Sequence, residues 1–156
     1  PFLSPTINLW IEQNEFLKFV SNLDYYLAQE LHFIDAGVGY PVAECGDIKI
    51  WFNHYTEEED ARQKWESRKG RINKENLFIL MSERDGIDRE DILKLGEVPC
   101  KNRVIFTSHK YDDIPYACFL PPYEGEEQVG YYLQKNPITD QTVMEKYFDF
   151  TKWLNV

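Results

Sequence analysis

The chain has 156 residues, of which 43% are hydrophobic and 15% aromatic, and its net charge is −10. This composition predicts a folded protein rather than a disordered one, and the acidic balance argues against a nucleic-acid partner, which needs a basic face. The longest apolar runs fall far short of the roughly 20 residues of a transmembrane helix, and no signal peptide is recognisable, so we expect a cytoplasmic protein without a transmembrane segment.

The first third of the sequence predicts one strand and one long helix. Residues 6–11 are β-branched or apolar and predict the strand. Asn14 is the predicted N-cap of a helix that runs to about Leu31. One face of this helix is formed by Phe16, Phe19, Val20, Leu23 and Leu27. The glycines at positions 37 and 39, followed by Pro41, predict a loop over residues 35–40.

The middle of the chain alternates strand and helix patterns. Residues 47–53, 77–81 and 103–107 predict strands, because each is a short apolar or β-branched run between turn signals. Thr56 and Glu59 predict a capping box for a helix that ends near Gly70, and Asp88 is the predicted cap of a second helix through about Leu95. Short connections of this kind favour parallel pairing with right-handed crossovers. The predicted fold class is therefore α/β, a three-layer, mainly parallel sheet with a β-α-β-α-β core over residues 47–107.

The last third carries weaker patterns. Residues 116–120 and 129–133 predict two strands of an antiparallel extension. Thr139 or Asp140 then opens a closing amphipathic helix whose apolar face is formed by Val143, Tyr147, Phe150 and Leu154. We expect residues 1–156 to form a single α/β domain.

Ligands of open parallel sheets bind beyond the carboxyl ends of the strands. The three predicted strands end at residues 53–55, 82–85 and 107–110, which would lie within roughly 10 Å of one another if the strands are neighbours. The candidate catalytic residues there are His54, Asp85 and Ser108: a base, its orienting carboxylate, and a nucleophile or substrate contact. His109 could also be the base, and we predict that Thr107 and His109 contact the substrate. The alternative is that Asp85 and Ser108 are ordinary turn residues and His54 closes a strand.

A second set of candidates lies on the helix after residue 56. Lys64, Arg68 and Arg71 recur at helical spacing and could hold a phosphate or the diphosphate of a nucleotide sugar. Trp65 lies among these charges and could stack on a sugar ring. The alternative is a solvated charged face, with Trp65 packed in the core beside Ala61.

No residues predict a metal site or a cofactor. The sequence has no GxGxxG, Walker A or DxD motif, and its widely spaced cysteines, Cys45, Cys100 and Cys118, form no zinc motif. We expect reduced thiols that pack as small hydrophobic side chains. Cys45 is the cysteine best placed for a catalytic thiol, because it lies in a loop-like stretch between Pro41 and Gly46.

Six stretches together resemble a bacterial family known as domain of unknown function 1919. They read FLKFVSNLDYYL (16–27), YP (40–41), DIKIWFNHY (47–55), ARQKWESRKGRI (61–72), NLFILMSERDG (76–86) and KNRVIFTSHKY (101–111). Members are often labelled exopolysaccharide or capsule biosynthesis proteins, so the resemblance implies a role in surface polysaccharide assembly. Two departures stand out: position 83 is Glu where Asp is common, and the family's upstream Cys-Trp-Gly type motif is absent. We therefore expect Pro1 to lie in the middle of a longer protein.

The leading hypothesis is a glycosyl or acyl transferase that acts on an activated sugar or polysaccharide precursor. His54 would be the base and Asp85 its orienting partner, while Arg68, Arg71 or Arg84 would clamp the anionic part of a nucleotide-sugar or acyl donor. The resemblance supplies no established catalytic residues, although these positions fall within its motifs. The sequence leaves two alternatives open, a non-enzymatic binding module of a polysaccharide assembly complex and a hydrolase (esterase) that uses Ser108 or Cys45.

Overall fold

Residues 4–6, 8–137 and 139–155 of the chain are described by a computed structural model. The chain divides into two compact units, a first unit over Pro1–Glu75 and a second unit over Asn76–Val156. Each unit contains one three-stranded sheet, antiparallel in the first unit and parallel in the second. This confirms a mixed α/β fold, and the prediction of a single domain stays a prediction.

The described part of the first unit is an antiparallel meander with three α-helices. Its elements are α1 (Gln13–Ser21), α2 (Leu23–Ala28), β1 (Leu31–Ile34), β2 (Val42–Cys45), β3 (Ile48–Trp51) and α3 (Glu58–Lys69). Gly46, at φ +62°, makes the tight turn between β2 and β3, where Cys45 pairs with Ile48. Side chains alternate along β3, so that Ile48 and Ile50 are buried while Lys49 is exposed. The core of the unit therefore forms on one face of this sheet, where Phe19, Phe52 and Trp65 join these isoleucines.

The second unit is built on a parallel β-α-β element. Its elements are β4 (Phe78–Ser82), α4 (Arg89–Glu97), β5 (Asn102–Thr107), β6 (Ala117–Phe119), α5 (Val143–Tyr147) and α6 (Phe150–Leu154). Asp88 caps α4 in a capping box with Asp91, as its side chain accepts the Asp91 N–H and that of Asp91 accepts the Asp88 N–H. The C-terminal end of α4 is held by Arg103, whose guanidinium donates to the carbonyls of Leu95 and Val98 at 2.9 and 2.8 Å. The strand order β4-β5-β6 leaves β5 in the centre.

The β-α-β-α-β core predicted for residues 47–107 is not confirmed. Of the predicted strands, β4 and β5 do pair in parallel around α4, whereas β3 pairs antiparallel with β2. The prediction failed because it missed β1 and β2, two four-residue strands that lie close in sequence to β3. A two-residue turn gives β3 a local antiparallel partner at little cost in loop entropy, which a distant parallel partner would not offer.

Several element boundaries in the first unit also differ from the prediction. Trp10 makes only an isolated bridge with Trp51, so the described part of residues 6–11 is not a strand. The long helix divides at Asn22, whose φ of −136° is not helical, and Leu31 already belongs to β1. Thr56 is not the N-cap of α3, because the helix begins at Glu58 and Glu57 occupies the cap without a side-chain hydrogen bond.

The C-terminal third departs from prediction in two ways. The strand predicted over residues 116–120 exists as β6, but it pairs parallel to β5, and the described residues 129–133 form no strand. The closing helix is two short helices, capped by Thr142 and Asp149, because Phe148 adopts an extended conformation between them. Of the predicted apolar face, Val143, Tyr147 and Phe150 pack against the cluster that contains Val104 and Phe106, whereas Leu154 is exposed. Among the described residues, no helix is long and apolar enough to cross a membrane.

Candidate active site at the ends of two parallel strands

A buried glutamate lies where β4 ends and meets the residues that follow β5. Ser82 is the last residue of β4 and pairs with Phe106. The next residue, Glu83, donates its backbone N–H to the Phe106 carbonyl at 2.8 Å, so the ladder continues one step beyond the strand. Its side chain is only 3% exposed. The carboxyl ends of neighbouring parallel strands thus bring Glu83 next to residues 108–111, where such sheets bind ligands.

The Glu83 carboxylate accepts five hydrogen bonds from Ser108, His109 and Tyr111. Its Oε2 accepts the backbone N–H of Ser108 at 2.8 Å, the Ser108 hydroxyl at 3.1 Å and the backbone N–H of His109 at 3.2 Å. Its Oε1 accepts from His109 Nδ1 at 2.9 Å and from the Tyr111 hydroxyl at 2.6 Å. The buried charge is therefore compensated by donors on both oxygens, as burial of an ion requires.

These donors keep the carboxylate ionised. Burial alone would raise the pKa of Glu83, but the hydrogen bonds from Tyr111, Ser108 and His109 together outweigh burial and hold that pKa below the ordinary value of 4.5. An ionised carboxylate only accepts hydrogen bonds, so His109 Nδ1 must carry the proton that it shares with Glu83. In the neutral ring this leaves Nε2 as an acceptor. Because the His109 side chain is 53% exposed, its ring is open to a substrate.

The turn that follows Glu83 is held in place by residues 128 and 129. The Val129 N–H donates to the Glu83 carbonyl at 2.8 Å, and the Asp85 N–H donates to Oε1 of Gln128 at 3.3 Å. Asp85 and Gly86 both adopt positive φ, 54° and 80°, which reverses the chain toward α4. The backbone of Glu83 is therefore fixed on both sides, by β5 and by this segment.

Two comparisons place the chain among known proteins. A family model described as Domain of unknown function (DUF1919) matches residues 1–155. The chain belongs to the DUF1919 family. It is also 37% identical over 155 residues to an uncharacterized protein of Haemophilus influenzae, a match that covers 99% of this chain and 75% of that protein. The matched region of this DUF1919 chain covers the first unit and all but the last residue of the second, including the Glu83 site.

The predicted catalytic residues of the DUF1919 chain are divided between the units. His54 is an exposed residue of the first unit, whereas Asp85 and Ser108 belong to the second. That all three form one site stays a prediction. Within the second unit it is Glu83 that meets Ser108 and His109, while Asp85 lies in the turn beyond.

Ser108 lies beside the Glu83 carboxylate, and its predicted role as a nucleophile or substrate contact stays a prediction. In a Ser-His-acid triad, the hydroxyl and the acid bind opposite nitrogens of the imidazole. Here Ser108 Oγ lies 3.3 Å from His109 Nδ1, the same nitrogen that Glu83 holds, and Ser108 is 1% exposed. Its hydroxyl has an acceptor in Glu83. The neighbouring Thr107 is also fully buried, and its hydroxyl has no hydrogen-bond partner among the described residues.

Cys45 has the properties of a core residue. Its thiol is completely buried in the first unit and donates to the Tyr26 carbonyl at 3.3 Å. Burial raises the pKa of this thiol to about 11, so the thiolate that a nucleophile needs is scarce at neutral pH.

The other predicted binding residues lie on different parts of the chain. Trp65 is 1% exposed and packs against Phe19 in the core of the first unit, so its ring faces are covered by protein. Arg68 is half-buried near the end of α3. Arg71 lies beyond that helix, where its guanidinium donates to the Ser67 carbonyl and hydroxyl at 3.0 and 2.7 Å. Their roles in binding stay predictions.

Arg84 shares the second unit with the Glu83 site. It follows Glu83 directly, and its Nε is buried without a hydrogen-bond partner among the described residues. No group of three or more His, Cys, Asp or Glu side chains in the described part of the chain is arranged to hold a metal ion.

Neither Glu83 nor Tyr111 is among the site residues that the sequence predicts. A signal for the glutamate was present, since Glu83 comes two positions after the apolar run 77–81, at the carboxyl end of a strand predicted to be buried on both faces. No comparable signal marks Tyr111, because its role depends on the loop after β5 folding back toward β4.

Proposed function

We propose that the chain acts as a glycosyl or acyl transferase on an activated sugar or polysaccharide precursor, with His109 as general base and Glu83 as its orienting partner. The observation that carries this proposal is the contact of 2.9 Å between His109 Nδ1 and a buried, ionised Glu83. A carboxylate in that position fixes the ring tautomer and stabilises the imidazolium that forms when the base takes a proton. The polysaccharide part rests on the family resemblance.

The proposed step is transfer to a hydroxyl group of the acceptor. Nε2 of His109 removes the hydroxyl proton as the oxygen attacks the donor carbon, so that an O–H bond breaks and a C–O bond forms. With a sugar nucleotide, the bond between the sugar carbon and the diphosphate oxygen breaks, and its electron pair leaves with the nucleoside diphosphate. With an acyl thioester, the C–S bond breaks and the pair leaves with the thiolate.

Arg84 is the candidate for the anionic part of the donor. It lies in the same unit as His109, and its buried Nε lacks a protein acceptor among the described residues. The planar guanidinium of an arginine suits a diphosphate, which offers several oxygens in the matching geometry. The sequence predicts His54 as the base and Asp85 as its orienting partner, and this pair is the competing hypothesis.

A binding screen with variants of the three histidines tests the proposal. The purified protein is titrated with nucleotide sugars and acyl-CoA thioesters, with thermal stability and the ring ¹⁵N resonances of the histidines as readouts. We expect at least one donor to stabilise the protein and to shift the His109 signals. His109→Ala should lower transfer to a hydroxyl acceptor, measured by mass spectrometry of the product, by about 10²- to 10⁴-fold.

The other two histidines make the result specific. His32→Ala removes an exposed histidine from β1 and is the matched control, so transfer should be unchanged. A loss of transfer in His54→Ala with none in His109→Ala would return the base to His54. If no donor binds at millimolar concentration, the transferase proposal is wrong.

A further inference from the structure

Tyr111 is the second donor to the Glu83 oxygen that holds the His109 ring. Donors from residues 108 and 109 occupy Oε2, and two of these are backbone N–H groups. Oε1 faces the imidazole and accepts only two of the five bonds, from His109 Nδ1 and from the Tyr111 hydroxyl. At 2.6 Å, the bond from Tyr111 is the shortest of the five. It is therefore the one side-chain contact, apart from the imidazole itself, that fixes Oε1 among the described residues.

The surroundings keep the Tyr111 hydroxyl protonated. Burial raises its pKa, and so do the hydrogen bond to Glu83 and the negative charge of that carboxylate. Of the other charged groups near Tyr111, Arg89 lowers the pKa and Asp88 raises it, with smaller effects. The tyrosine hydroxyl therefore stays protonated and donates to Glu83 at neutral pH.

The His109 imidazole needs an ionised Glu83 carboxylate to accept the hydrogen bond from Nδ1–H. If Glu83 were protonated on Oε1, its own O–H would face Nδ1–H of His109 and the O–H of Tyr111. All three groups are donors, so these hydrogen bonds would be lost. Among the hydrogen bonds that lower the pKa of Glu83, the one from Tyr111 has the largest effect. Tyr111 also packs beside the imidazole, with the two ring centroids 6.3 Å apart.

We propose that Tyr111 is a positioning residue that acts through Glu83. Its hydroxyl fixes the rotation and the negative charge of the carboxylate, and the carboxylate in turn holds His109 in the Nδ1–H form that leaves Nε2 free to accept a proton. The role in transfer rests on the proposed function, because only a catalytic His109 makes its tautomer matter.

The test compares Tyr111→Phe with Tyr116→Phe in the full chain. Tyr116 is a matched control, because its hydroxyl also donates a hydrogen bond in the second unit, to the Ile92 carbonyl at 3.0 Å. The Glu83 side-chain carboxyl is followed by ¹³C NMR during acid titration, and exchange of the His109 Nδ1–H proton with water is followed near neutral pH. In Tyr111→Phe we expect the Glu83 midpoint to rise by about one to two pH units, the equivalent of one lost bond to a charged group. Exchange of Nδ1–H should be faster.

Each outcome decides between the roles. A shifted Glu83 midpoint and faster exchange in Tyr111→Phe, with neither change in Tyr116→Phe, supports the positioning role. An unchanged midpoint and unchanged exchange, or equal changes in both variants, overturns it. These readouts need no donor: if they change as expected while no donor binds, Tyr111 positions Glu83 and the transferase proposal fails instead.

Discussion

Replacing Glu83 with glutamine tests whether the buried carboxylate organises the second unit. The side chain keeps its shape, but one of its two oxygens becomes an NH₂ group. If the amide oxygen stays with the three donors on Oε2, the NH₂ group faces His109 Nδ1–H and the Tyr111 O–H, so that donors oppose donors. A hydrogen bond to a charged group contributes about 1.5–3 kcal/mol. The tyrosine hydroxyl can rotate and the imidazole can change tautomer, so we expect a net loss of about 3 kcal/mol.

The pH dependence of this loss identifies its electrostatic origin. The folded-state pKa of Glu83 lies below its ordinary value of 4.5. The stability that its charge contributes is therefore fully present above about pH 4.5 and is lost as the pH falls through the folded-state pKa. The difference in the free energy of unfolding between wild type and Glu83→Gln should be smaller in acid, below the folded-state pKa of Glu83, than at neutral pH.

Urea unfolding of the two proteins, from about pH 7 downward, measures this difference. Glu127→Gln removes the same charge from an exposed position in the second unit and serves as the control. A cost for Glu83→Gln no larger than that of Glu127→Gln would refute the reasoning, and so would a cost that is as large below the folded-state pKa of Glu83 as it is at neutral pH.

Three further predictions concern packing and reactivity. Trp65→Ala should lower the free energy of unfolding by about 3–5 kcal/mol in urea titrations, because a fully buried indole leaves a cavity, whereas Lys64→Ala on the exposed side of α3 should change it little. Arg103→Lys should cost about 2 kcal/mol in the same assay, since an ammonium cannot reach the carbonyls of Leu95, Val98 and Cys100 together as the guanidinium does. Cys45 should resist a thiol reagent at about pH 8 until the protein unfolds, because a pKa of about 11 leaves roughly one thiolate in a thousand even before burial limits access.

The sequence predicts those parts of the fold that depend on local patterns. The run at 77–81 and the cap at Asp88 predict β4 and α4 nearly as they occur, because burial on both faces and side-chain capping leave local signatures. Pairing partners are less predictable. β2 has only four residues, yet it determines that β3 joins an antiparallel sheet, and nothing in residues 47–53 alone distinguishes the two kinds of neighbour.

The location of the candidate site was easier to predict than its chemistry. The rule that ligands bind at the carboxyl ends of parallel strands selects the segments after β4 and β5, and Glu83 and His109 both lie there. The sequence predicts Asp85 as the orienting acid, because the turn at residues 84–86 is easily recognised and Asp85 is its carboxylate. Glu83 is the acid that reaches the imidazole. It lies one residue beyond the end of β4, and this position places its side chain among the backbone amides of residues 108 and 109.

This geometry also explains how the site can tolerate a buried charge. Two of the five donors to Glu83 are backbone N–H groups, so any residue pair at positions 108 and 109 other than proline would supply them. The side-chain donors from Ser108, His109 and Tyr111 are the part that the sequence can vary. Of these, Ser108 bonds to the oxygen that the backbone already holds, whereas His109 and Tyr111 share the other. Ser108→Ala should therefore raise the pKa of Glu83 less than Tyr111→Phe does. The opposite order would mean that the hydrogen bonds to Glu83 serve to stabilise the fold and not to orient the imidazole.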